Sequence, residues 1–315
     1  MNRSATLRLG GLALIWGWSF LFIKVGVEGL SPLQVATARI VAGTVVLVII
    51  LRLQGGRLPR QPIVWAHLTV TAVAGSVIPF VLFPWGEEHI TSSRAGVLNA
   101  TTPLATLLIA MVALPEERPT PARVAGLVTG FAGVAVVVAP WSGGGHNPIS
   151  RQLACLLAAA CYGVAFTYVR RYLTPRQLAP LTLAAGQLVA STAVLILLSP
   201  LIARHPMHLN GRVVASVLCL GVLGTGVAYV LMHGLIRDAG ATTASMVTYL
   251  SPVVAVAVGA AVLGEHIGWN LFAGAIVVVA GVALAEGRLH LPSPRARLAR
   301  RAPPSPVRAP EPPPG

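Results

Sequence analysis

Ten apolar runs, each long enough to cross the ~30 Å hydrocarbon layer of a bilayer as a helix, divide this sequence almost from end to end. They cover approximately residues 7–27, 31–53, 63–86, 92–114, 121–140, 150–171, 177–199, 210–235, 241–263 and 268–287. Inside hydrocarbon every backbone polar group must be bonded within its own segment, so runs of this length fold as helices. Turn and charge residues separate them: Ser31-Pro32, Leu58-Pro59-Arg60, Pro115-Glu116-Glu117, the stretch from Ser142 to Pro148, Thr174-Pro175, His205-Pro206 and Gly264-Glu265. The first run, with Trp16 and Trp18 inside it, reads as a span rather than a cleaved leader.

Composition agrees. The chain is 55% hydrophobic and 10% charged, against about 25% charged in soluble domains. Its net charge of +14 does not point to nucleic acid, because the arginines are scattered between apolar runs rather than gathered on one face. They set an orientation instead. With a cytoplasmic N-terminus, Arg3, Arg8, Arg52, Arg57, Arg60, Arg118, Arg123, Arg170, Arg171, Arg176, Arg237 and the arginines beyond Glu286 fall inside. Arg94, Arg151, Arg204 and Arg212 fall outside, the asymmetry of the positive-inside rule. Trp65, Trp85, Trp141 and Trp269 stand near run ends, as interfacial anchors do. Cys155, Cys161 and Cys219 lie in apolar runs without metal-ligand spacing and read as packing residues.

The two halves match. Pro103 precedes Glu116 by the spacing that separates Pro252 from Glu265; in that register Ala95 meets Ala244, Thr102 meets Ser251 and Phe80 meets Tyr229. With one gap Gly126 meets Gly274 and Gly133 meets Gly281, and near the start of each half Pro32 and Arg39 meet Pro180 and Gln187. The fold expected is therefore all-α: ten transmembrane helices as two five-helix repeats, residues 1–140 and 141–287. An odd number of spans inverts the second copy, an architecture that lets a central site face either side. Residues 288–315, rich in Pro and Arg, read as a disordered cytoplasmic tail.

Ionisable groups inside spans are costly and come first as functional candidates. Lys24 either snorkels or pairs with Glu28, or serves as a coupling group with Glu87, Glu88 and His89. Arg39 either faces a watery cavity that attracts an anionic group or anchors helices through backbone carbonyls. Glu87, Glu88 and His89 end the third run, as a solvated vestibule edge or as proton-coupling groups; His89 and His233 are either pH-sensitive groups or lone histidines satisfied by hydrogen bonds. Glu116, Glu117 and Glu265 read as end caps. Pro79, Pro103 and Pro252 break helical hydrogen bonding, at positions suited to gating. Asn99, Thr101, Thr102 and Thr106 surround Pro103, and Thr248, Tyr249 and Ser251 precede Pro252. Such polar, broken, symmetry-related segments point to a midplane binding site, with Trp16, Trp18, Ser19, Phe80, Tyr162, Gln187 and Tyr229 as its remaining wall. Asn99, Arg39, Tyr229 and Tyr249 are expected to line the cavity between the repeats. Polar side chains also join helices in lipid, and Gly126, Gly130 and Gly133 read as close-packing positions.

These residues form a pattern that resembles the drug/metabolite transporter superfamily, EamA type. The likeness lies in Ile15-Trp16-Gly17-Trp18-Ser19-Phe20 leading to Lys24, Ser31-Pro32-Leu33 leading to Arg39, and Ile78-Pro79-Phe80 leading to Trp85-Gly86-Glu87. It continues in Leu98-Asn99-Ala100-Thr101-Thr102-Pro103-Leu104 followed by Glu116, and more loosely in Tyr249-Leu250-Ser251-Pro252-Val253 followed by Glu265. Arg94 departs from the small or apolar residue expected there. The resemblance implies a ten-helix multi-pass permease of the cell membrane with both termini cytoplasmic, often an exporter of amino acids, related metabolites or toxic compounds.

The leading function is thus a secondary transporter that moves a small molecule by alternating access, needing no cofactor, contacting membrane lipids and working as a monomer or weak homodimer. No Gly-rich phosphate loop is present for ATP hydrolysis. An uptake permease or a flippase for a lipid-linked substrate stands as the alternative on the same fold. An intramembrane enzyme is remote: the sole aspartate is Asp238, and no histidine pair has ligand spacing. A channel filter of the carbonyl-ring kind is not visible either.

Overall fold

The computed structural model describes residues 3–115, 117–140, 148–198, 200, 205–232, 234–235 and 247–289. Glu116, Trp141, Arg204, His233, Arg237, Asp238 and the tail from residue 290 lie outside the described residues. Every regular element among those described is helical. Eight helices there are long and apolar enough to cross a membrane: α1 (Arg3–Gly26), α2 (Pro32–Leu53), α3 (Pro62–Glu87), α4 (Ser92–Ala113), α5 (Pro121–Val138), α6 (Ile149–Arg176), α7 (Pro180–Leu197) and α8 (Gly211–Met232). Two shorter apolar helices follow, α9 (Val247–Leu263) and α10 (Trp269–Ala285).

Local chemistry fixes the ends. Ser31 caps α2 in a capping box: its hydroxyl accepts from Gln34 N, and the Gln34 carboxamide accepts from Ser31 N at 2.9 Å. Thr91, Thr120 and Asn210 cap α4, α5 and α8 in the same sense. Proline opens α2, α3, α5 and α7, where its missing N–H costs nothing. Gly264 ends α9 at φ 63, a left-handed conformation that turns the chain back so that Glu265 N donates to Gly259 O.

Two interruptions were not expected from the sequence. The ladder widens to π-helix at Val73–Val77 in α3 and at Val222–Val227 in α8. Both segments precede Phe80 or Tyr229 by the same distance, so the halves share the irregularity. A π turn at Val169–Leu173 also extends α6 beyond the expected end of its run at residue 171, and α7 begins at Pro180 rather than 177. Pro252 differs from its expected role: α9 is helical on both sides of it. A proline deletes one N–H bond to residue i−4, here to Thr248, and a packed helix tolerates one such loss.

The main pairings between the first five helices and the last five recur when the two sets are exchanged. α1 packs on α8 and α9, while α6 packs on the later part of α3 and on α4. α2 lies against α7 and α8, and α7 against α2 and the early part of α3; α4 meets α9, and α5 meets α10. Small residues permit these approaches. A Cβ on Gly17 would strike Val254, and one on Gly163 would come within 2.8 Å of Thr106 N. At the α5–α10 seam the backbones touch: a Cβ on Gly133 would lie 2.6 Å from Val278 N, and one on Gly281 would lie 2.8 Å from Gly126 O. Gly126 faces Ala285 in this seam, whereas Gly130 also accommodates Leu104 of α4.

Large apolar side chains, among them Val45, Ile49, Val112, Val128, Leu157, Phe166 and Phe272, point outward and exposed. Such a surface is unstable in water and suited to lipid.

Candidate functional site

The buried centre is built on α2. Arg39 is 8% exposed. Its Nε donates to Thr225 Oγ1 at 3.1 Å, and its guanidinium lies 3.9 Å from the Phe80 ring centroid. Tyr162, Tyr229 and Glu87 are close enough to act on it electrostatically. Thr225 belongs to the π turn of α8, and Phe80 follows the π turn of α3. Gly224, beside Thr225, lets its helix approach this centre closely: a Cβ there would lie 3.0 Å from Ser19 Oγ and 3.8 Å from Arg39 Nη2.

The other half repeats this arrangement in neutral form. Gln187 Nε2 donates to Ser76 Oγ at 2.9 Å. Ser76 sits in the π turn of α3, and a Cβ on the adjacent Gly75 would lie 2.9 Å from Ala165 Cβ and 3.2 Å from Gln187 Nε2. The trio Ser19, Arg39 and Thr225 thus faces a counterpart of Ala165, Gln187 and Ser76. Sequence reading placed Arg39, Phe80, Gln187, Tyr229, Tyr162 and Ser19 here but missed Ser76 and Thr225. Their trace was available: Gly75-Ser76 and Gly224-Thr225 share the register of Phe80 and Tyr229.

Around Pro103 the polar residues satisfy the backbone. Proline deprives the Asn99 carbonyl of its partner at i+4, and Thr102 Oγ1 donates to that oxygen at 2.8 Å. Thr101 Oγ1 donates to Leu98 O at 2.7 Å, and Thr106 Oγ1 to Thr102 O at 2.8 Å. The break spans Ala100 and Thr101 and leaves the Asn99 side chain half-buried. Ser251 of α9 is buried and backs onto Gly17. Trp16 packs against the cluster of Leu12, Leu9 and Leu235, and Trp18 against Phe22. Tyr249 is placed apart from Arg39: its hydroxyl meets Glu286 Oε2 at 2.7 Å, beneath Arg288. The carboxylate at the end of α10 draws the phenol to the end of the bundle.

The end of the bundle holding the C-termini of α1 and α3 is tied across the two halves. The Glu265 carboxylate accepts from Ser92 N at 2.7 Å, Ser93 N at 3.0 Å and Ser93 Oγ, and so caps α4. Gln34 Nε2 donates to His205 O at 2.8 Å, and His208 N to Gly29 O at 2.9 Å. Arg151 donates to Trp85 O and pairs with Glu88, both at 2.6 Å, and lies over the Trp85 ring. His89 is exposed beside Glu88. Lys24 does not take Glu28; it reaches α3 and donates to Glu87 O and, at 3.0 Å, to Ile90 O. Carbonyls freed at a helix end offer it two acceptors, whereas Glu28 pairs loosely with Arg212 at 3.9 Å. The Glu87 side chain is fully buried, and its carboxylate oxygens have no hydrogen-bond partner among the described residues. Arg94, the departure from the expected residue type, joins Val137 O at 2.8 Å to Gln152 Oε1 at 3.1 Å.

At the opposite end Glu117 accepts from Arg170 and pairs with Arg123 at 2.8 Å. The Arg170 hydrogen bond, with Arg123 beside it, holds this carboxyl below its ordinary range. Arg171 donates to Ala113 O at 2.6 Å, and His67 Nδ1 meets Tyr168 OH at 2.9 Å. Among the described residues no group of His, Cys, Asp and Glu side chains is arranged to hold a metal ion.

Comparison with known proteins agrees with this architecture. The profile of the EamA-like transporter family matches residues 7–139 and again 150–286. An uncharacterized transporter of Archaeoglobus fulgidus is 25% identical over 92% of this chain and 100% of its own. A probable terminal-alkyne amino-acid exporter of Streptantibioticus cattleyicolor is 28% identical over 87% of this chain and 90% of its own. An uncharacterized inner membrane transporter of Escherichia coli is 27% identical, over 90% and 92% respectively. A crystal structure covers 96% of this chain and 99% of its own with a TM-score of 0.63 at 23% identity, a likeness of fold.

Proposed function

The chain belongs to the EamA-like transporter family, and from that premise we propose that it exports a small metabolite, amino acid-like or amphipathic, across the inner membrane by alternating access. In this reading residues 1–140 and 141–287 are two five-helix copies of opposite orientation. Both termini are cytoplasmic, and the copies rock about a site at the bilayer midplane. A membrane transporter of this family needs such a site to be polar, central and shared between halves.

The observation that carries the reading is the matched pair of hydrogen bonds, Arg39 to Thr225 and Gln187 to Ser76. Each crosses from one half to the other and ends on a π turn, a local irregularity often found at functional sites. The recurrence of the main cross-half helix pairings on exchange and the double match of one family profile support the two copies. Bonds between the halves tie both ends of the bundle, Glu265 to Ser92 and Ser93 at one and Glu117 to Arg170 at the other, so opening to either side breaks one such set. The amino-acid exporter among the relatives supports the substrate class.

The test measures metabolite pools inside and outside cells that express the chain, against cells expressing Arg39→Ala. Export predicts an extracellular excess of a defined small molecule that the variant abolishes. Accumulation inside would make the protein an uptake permease. Impermeant labels that place the two ends on opposite faces would overturn the ten-span, inverted scheme.

A further inference from the structure

Resting on the reading of this centre as the substrate site, we infer that Arg39 is the receptor for a carboxylate of the substrate. The substrate is thus a small organic acid or zwitterion whose uncharged remainder lies toward Gln187. Three observations combine. First, no carboxylate among the described residues comes within ion-pair distance of Arg39, although the side chain is buried at membrane depth. A lone cation there is costly, and an incoming anion relieves the cost.

Second, the guanidinium is held but not saturated. Thr225 fixes Nε and the Phe80 ring covers one face, while neither Nη donates to an acceptor among the described residues. Nη1 and Nη2 are the forward edge of the fork, an edge that matches two carboxylate oxygens. Gly224 keeps the space beside Nη2 clear of a side chain.

Third, the pseudo-symmetric position is neutral. Gln187 carries no charge, and Ala165 stands where Ser19 stands on the other side. Two copies of one unit have diverged at the position that meets the substrate, giving the centre one cationic wall and one uncharged wall. A substrate with a single anionic end fits that polarity; a polyamine or an inorganic cation does not. Glu87 on α3 is close enough to act on Arg39 but makes no ion pair with it among the described residues, and Lys24 is engaged with backbone carbonyls.

The full chain in proteoliposomes tests this. Vesicles are loaded with an equimolar mixture of L-amino acids, their carboxamides, neutral sugars, a polyamine and chloride, and efflux of each is followed. Acids are expected to leave at least about tenfold faster than their own carboxamides, equivalent to roughly 1.4 kcal/mol of discrimination. Arg39→Gln is expected to abolish that preference, and Arg39→Lys to retain part of it, with both variants melting near the parent in detergent. Equal efflux of acid and carboxamide, or a preference that survives Arg39→Gln, overturns the assignment. Saturable efflux confined to sugars, polyamine or chloride overturns the carboxylate while leaving the permease reading intact. No protein-dependent efflux of any compound overturns both. If Arg39→Gln misfolds, Thr225→Val, which frees the guanidinium to swing, must still lower the ratio of acid to carboxamide.

Discussion

Arg39 on α2 and Thr225 in the π turn of α8 are joined by a buried 3.1 Å hydrogen bond that crosses between the halves. Its counterpart, Gln187 to Ser76, runs the opposite way between equivalent elements. The two bonds differ in charge, and that difference sets an order of stability. Thr225→Val leaves the N–H of a buried cation unpaired and is expected to cost about 1–3 kcal/mol. Ser76→Ala unpairs a neutral, half-buried amide and is expected to cost about 0.5–1.5 kcal/mol. Thermal unfolding in detergent ranks them, and the reverse order would contradict this account.

Glu265 caps a helix that belongs to the other half. Glu265→Ala removes three hydrogen bonds from the first turn of α4 and a negative charge from its positive end. The expected loss is about 1–2 kcal/mol, near the upper end for a helix cap. An introduced Ser93→Cys should then react with an impermeant thiol reagent several-fold faster than in the parent. An unchanged labelling rate would show that the cap does not close this face.

The α5–α10 seam admits no added side chain. Gly133→Ala and Gly281→Ala each force backbone against backbone, since the atoms a Cβ would meet are main-chain atoms unable to swing aside. Each is expected to destabilise the protein by about 1–3 kcal/mol. Gly10→Ala, where nothing lies within 4 Å, serves as the neutral control. Melting temperatures of the three variants decide the matter.

Glu117 gives a pH dependence outside the spans. Its carboxyl is lowered chiefly by the hydrogen bond from Arg170, with Arg123 adding to it. On acidification the unfolded chain therefore takes up this proton first. The stabilisation is fully present above about pH 5, beyond the ordinary glutamate range near 4.3, and fades as pH falls through the lowered folded value. The melting-temperature gap between the parent and Glu117→Gln should stay constant from about pH 8 to 6 and shrink below about pH 4.5. A gap that widens on acidification would contradict the sign.

Eight of the spans were legible because hydrocarbon imposes one rule on length and composition, and the close packing at Gly126 and Gly133 followed from their spacing. The π turns were not. A π turn arises when one extra residue is accommodated in the ladder, and Val73–Val77 is as apolar as its surroundings. Arg39, Phe80 and Gln187 were picked out as polar or aromatic residues at matched depth, yet their partners Ser76 and Thr225 are small hydroxyl residues of a kind common in any membrane helix. Tyr249 was drawn to the centre by its neighbour Pro252, but the sequence held no sign that Glu286, distant in the chain, would take its hydroxyl. Lys24 showed the same limit: Glu28 was nearer along the helix, whereas α3 offered bare carbonyls.

The glycine seam also bears on biosynthesis. α5 leaves the ribosome well before α10, the last apolar helix described, and until α10 follows, the flat strip along Gly126 and Gly133 has only lipid tails to lie against. The seam therefore cannot close until α10 has been made, and a chain cut short after α9 would present a notched, unfilled flank to lipid.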